Sequence, residues 1–533
     1  MAIPSLVVLI ALFALPLSFT LSKAFSNGGE SIKSTFTSPY IYRLLLFTIE
    51  ESLLSALISV VLAIPFAYLF ANYRFFGRRA ILALSALSFT IPSILVVLGF
   101  VIFYGKNGFL NKFISLICGP DTPPVRILYT FWAIILAHVY LNFPVAFNLI
   151  SNGWSNLPRR EEEASYTLHK GKVETFFKIT LPKLKGIILN SFIIIFLFCF
   201  SSFSIVLVLG GNPKYTTLEA EIYRRARIGL DFSDAAAMAL FTFLITSFLL
   251  FITSSSRRQE KITRNERVAY PLKSWKSKLT ALLVVLLILL FILPPLVSIV
   301  YRSFFDRKGN FSLNEWKKLL TFGSTFEPVL NSLVIALISS TLSVLLSESI
   351  AIYSTKVNSR FIPILATLPL ATGSVTLGLG YNFLVSRIPG ASDSIHFAMV
   401  LLTHLVISLP FAVRTILPGA KEIPERLSQA SYTLGKGIGY TYFHVERPLL
   451  RTYRIKAFIF AFALSLGEVN ATLTLSGGHI KTLPIQLYSL IGSYNYQGAS
   501  VLGTVLLALA FIIFLLGEAT GAGHGLSSDK KSN

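Results

Sequence analysis

The chain alternates long apolar runs with short polar connections. Twelve runs approach the ~20 residues that cross a hydrocarbon core. They cover 4–22, 44–71, 80–104, 127–150, 187–209, 236–255, 279–300, 329–353, 361–385, 396–417, 457–475 and 500–518. Backbone groups in lipid have no water to bond, so each run is expected to be helical. The first run lacks a basic leading segment and a small-residue cleavage site, and reads as a retained span rather than a signal peptide.

Two of the polar connections are copies of one another. The first, at 158–185, contains Pro158-Arg-Arg-Glu-Glu-Glu-Ala-Ser-Tyr-Thr-Leu-His-Lys-Gly171 and runs on to Leu181-Pro182. The second, at 424–451, contains Pro424-Glu-Arg-Leu-Ser-Gln-Ala-Ser-Tyr-Thr-Leu-Gly-Lys-Gly437 and runs on to Arg447-Pro448. The offset of 266 also carries His138 to His404 and Pro144 to Pro410, while Glu51–Ser59 matches Asn331–Ser339 at an offset of 280. An even number of spans, six, separates corresponding points, so the halves point the same way as a parallel duplication. The expected organisation is a first half at 1–256, a basic linker at 257–278, a second half at 279–520 and a tail at 521–533.

Composition fixes the class: 533 residues, 53% hydrophobic and only 14% charged, with a mean hydropathy of +0.68, describe an all-α integral membrane protein. The net charge of +22 does not point to nucleic acid, because the Lys and Arg lie in short loops between apolar runs. Their bias places both termini and both repeated loops in the cytoplasm. Cys118 and Cys199 form no disulfide framework and have no metal-ligand spacing, and Cys199 reads as a buried packing residue. No metal site is expected. The chain also has no Gly-x-x-x-x-Gly-Lys-Ser/Thr, His-Glu-x-x-His, Cys-x-x-Cys or nucleophile elbow, so it is expected to be no enzyme and to bind no cofactor.

The repeated loop reads as two short helices with a hinge. Pro158 and Pro424 suit a first helical turn, and Glu161–Glu163 favour that N-terminus. Gly171, or Gly435 and Gly437, would allow a sharp break. A small-faced helix of this kind suits a groove on a partner. Within the spans, Glu468 in Ser-Leu-Gly-Glu-Val-Asn470-Ala-Thr falls near the midplane, where a charge is costly. It either faces a wet solute pathway or makes a structural hydrogen bond, protonated or not. Glu348 lies near a span end and reads equally as snorkelling. Glu50 and Glu51 are expected near an outer end, touching solute or water. His138 and His404 read as interhelical hydrogen bonds, with a pathway role as the alternative, and Asn142 and Asn148 as interhelical contacts. Gly378-Leu-Gly380 reads as close helix packing, with local give at a gate as the alternative.

The repeated loops resemble the EAA loop of binding-protein-dependent ABC importer permeases. Glu163-Ala164-Ser165 and Leu181-Pro182 fit in the first copy, whose motif glycine is replaced by His169. The second copy has Gln429-Ala430-Ser431, Gly435 and Pro448, keeping the glycine and lacking the acid. The resemblance implies the type I ABC importer permease fold, with each loop a coupling helix seated in one of two ATPase subunits that carry ATP and Mg. The residues so implicated are Glu163, Ala164, Ser165, Leu168, Gly171 and Pro182, with Gln429, Ala430, Ser431, Leu434, Gly435 and Pro448 in the second copy.

Over nearly the whole length the chain resembles the fused twelve-span permeases of the thiamine and ferric-iron branch, on Tyr104-Gly-Lys-Asn-Gly-Phe-Leu, Leu209–Tyr223 and Thr482–Tyr494. The last stretch is more similar to thiamine permeases, so thiamine or its phosphates is the expected solute and ferric iron the alternative. The resemblance also implies an extracytoplasmic solute-binding protein. The outer loops 210–235 and 476–499, with Tyr223, Arg224, Tyr488 and Tyr494, are candidate docking surfaces, or an ordinary outer cap. An ion-coupled secondary transporter is the rival of another class, but it calls for ionisable relays within the spans, and few such residues are present.

Overall fold

The computed structural model describes residues 2–87, 91–211, 214–255, 269–321, 326–359 and 361–525. These residues are overwhelmingly helical. Among them, only Tyr73–Arg74 and Tyr270–Pro271 pair as strands, in parallel, with Tyr73 opposite Tyr270. Ten helices are long and apolar enough to cross a membrane, and twelve if each of two sharply bent pairs counts as one span. The all-α membrane class therefore holds. Asn212, Pro213, the linker residues 257–268 and the tail beyond 525 lie outside the described residues.

The helices used below are, in chain order, α1 (Ala2–Ala24), α2 (Pro39–Asn72), α3 (Ser93–Tyr104), α4 (Phe131–Ser155), α5 (Arg160–Thr167), α6 (Leu181–Phe200), α7 (Leu218–Arg227), α8 (Phe232–Ser255) and α9 (Trp275–Phe304). The remainder are α10 (Glu327–Lys356), α11 (Ser374–Val385), α12 (Asp393–Glu422), α13 (Glu425–Thr433), α14 (Arg451–Leu466), α15 (Asn470–Ser476), α16 (Leu483–Gly492) and α17 (Tyr496–Gly525).

The burial pattern inverts that of a water-soluble protein. On α10 the inner stripe is Ser332, Ala336, Ser339, Ser343 and Ser347, while Leu330, Leu337, Leu342 and Leu345 face outward. The same holds on α2, where Ser52, Ser55, Ala56 and Ser59 are buried and Leu53, Leu57 and Val61 exposed. Lipid tails solvate leucine as well as a core does. Small side chains that allow close backbone approach, and hydroxyls that bond across helices, therefore take the helix contacts. Ser339 Oγ lies 3.0 Å from Ser465 Oγ, and Ser347 Oγ donates to the Leu409 carbonyl at 3.3 Å.

Four expected spans are not single straight helices. The fifth stops at Phe200 and resumes only at Ser204–Leu209. The ninth breaks at Thr372–Gly373, with an 87° bend between Phe361–Ala371 and α11. The eleventh breaks between α14 and α15, bending 52°. The third comprises a helix at Arg78–Leu87 and, after Pro92, α3. Apolarity along a chain does not report bends, because both arms of a bent span are apolar.

Packing groups the chain into two compact units. One gathers Met1–Pro39, Leu218–Phe248 and Ser303–Asn533, and the other Tyr40–Thr217 and Leu249–Arg302. Each contains one repeated loop. In the first unit α1 lies on α11: Tyr381 donates its hydroxyl to the Leu12 carbonyl at 2.7 Å. A Cβ on Gly380 would meet the Pro16 carbonyl oxygen at 2.6 Å, so only glycine fits there. In the second unit α3 lies on α9, where a Cβ on Gly99 would come within 2.8 Å of the Pro295 carbonyl oxygen.

Candidate functional site: paired polar loops and a carboxylate-flanked helix break

The two repeated loops fold alike. Helix α5 carries Glu161, Glu162 and Glu163 in its first turn, where the helix dipole favours them. It ends as the Leu168 N–H bonds the Ala164 carbonyl (3.2 Å) and the Lys170 N–H bonds the Ser165 carbonyl (3.1 Å). In the second copy the Leu434 N–H reaches Ala430 at 3.2 Å and the Lys436 N–H reaches Ser431 at 3.1 Å. Both are helix ends of the Schellman type, which need one left-handed residue. That residue is His169 (φ 57) in the first copy and Gly435 (φ 71) in the second. The departure at the motif glycine is thus one of residue type, not of backbone. His169 accepts a strain of roughly 1–2 kcal/mol that Gly435 avoids. Gly171 and Gly437 do not make the break expected of them. Both are extended, at φ −69 and −72, and a Cβ on either would meet nothing within 4 Å.

After the break each loop re-enters a long helix through a π turn, Phe176–Thr180 in one copy and Tyr442–Glu446 in the other. Pro182 and Pro448 follow two residues later. A proline inside a continuous helix removes a donor and crowds the preceding turn, and the widened turn accommodates both effects. Two side-chain bonds pin each hairpin. Ser165 Oγ lies 2.9 Å from Thr175 Oγ1, and Ser431 Oγ lies 2.8 Å from Thr441 Oγ1. Thr180 donates to Glu162 at 2.9 Å, and Ser428 donates to Glu446 at 2.9 Å. Glu162 corresponds to Ser428 and Thr180 to Glu446, so donor and acceptor have exchanged places between the halves while the bond remains.

The outer faces are apolar. Tyr166, Leu168 and Phe177 in one loop, and their counterparts Tyr432, Leu434 and Phe443 in the other, are exposed, Leu168 at 73% and Leu434 at 77%. Ala164, Ala430 and Gln429 are exposed beside them. The same three apolar side chains are thus exposed in both copies. The loops differ at Glu163, which accepts a bond from Tyr270 at 3.0 Å, whereas Gln429 turns to Glu425 on its own helix at 3.3 Å. The guanidinium of Arg159 lies over the Tyr270 ring, 4.0 Å from its centroid.

The paired histidines are buried in hydrogen-bond networks. His404 lies 2.8 Å from Ser465 Oγ and 2.7 Å from Thr472 Oγ1. His138 lies 2.8 Å from Ser202 Oγ and pairs with Glu51. Glu51 is accordingly buried, not at a wet outer end. Asn142 donates to the His138 carbonyl and Asn148 to Ser85 Oγ, both at 2.9 Å. Glu348 does not snorkel: its buried carboxylate faces Arg454 at 3.0 Å and Arg447 at 3.8 Å.

Glu468 occupies the break between α14 and α15. It accepts the Ala471 N–H at 2.9 Å, capping α15 beside Asn470, and Ser374 Oγ lies 3.4 Å away. A second carboxylate reaches the same place from α7. Glu219 is fully buried, and neither of its oxygens has a hydrogen-bond partner among the described residues. A Cβ on Gly373 would fall 1.9 Å from Glu219 Oε1. The two acids therefore flank Gly373-Ser374, where α11 starts after its 87° bend, and the hydroxyls of Thr372 and Thr376 are also unpartnered there. Gly378 closes the packing, since its Cβ would strike the Ala471 carbonyl oxygen at 2.5 Å. Burial pushes the Glu219 carboxyl up to about 8. In the sequence Glu219 falls within the outer loop 210–235. The available signal was that Leu218, Glu219, Ile222 and Ala226 share one helical face, and all four are buried. Glu221 is equally buried but paired, with Arg224 (2.6 Å) and Arg225 (3.0 Å).

Of the candidate docking residues, Tyr223 and Tyr488 come together. Burial and the neighbouring Tyr488 push the Tyr223 phenol up to about 12. Arg224 is engaged by Glu221, while Tyr494 stands apart, 76% exposed and left-handed at φ 60.

Residues 59–265 match the family described as the inner membrane component of binding-protein-dependent transport systems. The whole chain is similar to the thiamine transport system permease protein of Salmonella typhimurium, 28% identical over 494 residues, covering 91% of this chain and 90% of the relative. The corresponding protein of Haemophilus influenzae is 27% identical over 516 residues, covering 95% and 94%. The ferric transport system permease protein of Actinobacillus pleuropneumoniae is 25% identical over 507 residues, covering 91% and 72%. The helical membrane architecture and the duplicated loop agree with these likenesses, which are to multi-pass inner-membrane permeases of binding-protein-dependent transport systems.

Proposed function

We propose that this permease imports thiamine or its phosphates, driven by two ATPase subunits that each seat one of the two repeated loops. The observation that carries the reading is the duplicated hairpin, with the same left-handed helix end, π turn and exposed Tyr–Leu–Phe face in both copies. Permeases of this type work with an ATPase and a solute-binding protein, so ATP and Mg belong to the partner subunits and this chain conducts without catalysing. The loops and both termini lie in the cytoplasm, and the solute-binding protein docks outside around Tyr223, Arg224, Tyr488 and Tyr494. ATP binding closes the ATPase pair on the loops and opens the permease outward, and hydrolysis reverses it. Partners drive this change because they bind its two states with different affinity.

Thiamine is favoured over ferric iron because the thiamine permeases align over nearly their full length and the ferric permease over less. The two acids at the α11 break suit a cationic solute, whose charge would offset the burial that keeps Glu219 protonated, and broken helices near mid-membrane are where transporters hold solute. Glu468 and Glu219 are assigned to the pathway, with Asn470 beside them. His138 and His404 serve the framework. Replacing Ala430 with Trp, or Gly435 with Pro, abolishes ATPase association and uptake while leaving the permease inserted. Normal uptake by both variants would remove the coupling role. Glu468→Gln lowers uptake of a cationic solute, and unchanged kinetics would return Glu468 to a capping role alone.

A further inference from the structure

A cluster away from the helix break has the chemistry of a metal site. Asp393 and His396 lie three residues apart in the first turn of α12, so both project from one face. His479 approaches from the segment 477–482, which joins α15 to α16. Gly477 and Gly478, at φ 57 and 98, turn the backbone just before it. His479 Nδ1 is 3.1 Å from Asp393 Oδ1. The rings of His396 and His479 stack with centroids 4.1 Å apart and planes 18° from parallel. One ligand atom from each of the three residues lies within 4.8 Å of the other two. His396 Nδ1 lies 3.1 Å from the Ser392 carbonyl. A carbonyl only accepts, so in the neutral ring the proton is on Nδ1 and the Nε2 lone pair is left as a ligand.

We propose that Asp393, His396 and His479 bind a divalent first-row transition ion, with Zn2+ the best match. Two imidazoles and one carboxylate suit Zn2+ far better than Ca2+ or Mg2+, which prefer all-oxygen sets. Tetrahedral ligands around Zn2+ stand about 3.3 Å apart, so binding requires the two imidazoles to swing out of their stack until their in-plane lone pairs meet on one ion, with Asp393 as the third corner and water as the fourth. Asp393 and His479 are separated by 86 positions. The ion therefore ties the 477–482 segment to the start of α12 and fixes the entry into α16, which bears Tyr488. The cluster lies at the opposite end of the 30-residue α12 from the second repeated loop, about 45 Å away along the helix. Metal on this face sets the rigidity of one surface assigned above to the binding protein. The site itself stands whatever the solute is.

The test uses tag-free full-length protein in detergent, with Co2+ as a spectroscopic probe. One Co2+ per chain should bind with the visible absorption of a four- or five-coordinate site, and Zn2+ should displace it. His396→Gln and His479→Gln should weaken binding at least tenfold, whereas His444→Gln, on the exposed second loop, should not. In parallel, Zn2+ should slow amide exchange over 477–482 in the unaltered protein and not in His479→Gln, a readout that does not depend on a variant losing its fold. An absence of Zn2+-displaceable Co2+ absorption, or equal binding by the His396 and His479 variants, overturns the site, as does exchange that Zn2+ leaves unchanged.

Discussion

A carboxyl that is buried without a partner carries its signature in pH. Glu219 is raised from 4.5 to about 8 by burial, so the folded chain holds this proton more tightly than the unfolded chain. Its stabilising contribution is fully present below about 4.5 and is lost as pH rises through about 8. Glu219→Gln removes the titration. The Tm of the detergent-solubilised protein should therefore fall with pH across that window more steeply than that of the variant, and parallel profiles would contradict the assignment. A second residue-scale contrast lies at the helix ends of the two loops. His169→Gly should stabilise its loop by about 1 kcal/mol, and Gly435→Ala should destabilise its loop by a similar amount. Both are read as opposite changes in amide exchange within α5 and α13. At this scale the sequence pointed to the right glycine position and the wrong consequence. It shows His169 in place of the motif glycine and offers Gly171 for the break, because residue type is visible in a sequence and φ is not.

The elements show where apolar pattern informs and where it stops. The span positions were legible because lipid demands about 20 apolar residues whatever they pack against. The breaks at Gly373 and between Leu466 and Asn470 were not, because they depend on what fills the gap: Glu219 against Gly373, and Glu468 on the Ala471 N–H. The hairpins hold a bond whose donor and acceptor are exchanged between copies. Thr180→Val or Ser428→Ala removes a donor from a buried carboxylate and should cost about 1–3 kcal/mol, read as faster proteolysis of that loop. The exchange suggests a rescue: Glu162→Ser combined with Thr180→Glu rebuilds the second copy's arrangement in the first. The double variant should recover most of the loss that either single variant suffers. A double variant as labile as the singles would mean that the bond is incidental.

At the scale of the whole molecule, the duplication was plain from the 266-residue offset, but the packing was not. Contacts gather α1 and α7 with the second repeat's helices, and α9 with those of the first. No local pattern encodes this, since it is decided by positions such as Gly380 against Pro16 and Gly99 against Pro295, hundreds of residues apart in the chain. Glu348 follows the same rule: it looked like a side chain reaching for water, and its partners Arg447 and Arg454 lie about 100 residues away. That one chain carries both loops of an ATP-driven thiamine importer is the central proposal. It is tested most directly by uptake of labelled thiamine into proteoliposomes holding the permease with its ATPase and solute-binding protein. The predicted result is accumulation that requires ATP and the binding protein and is abolished by Ala430→Trp. Accumulation driven by an ion gradient without the ATPase, or transport of ferric iron with no transport of thiamine, would contradict it.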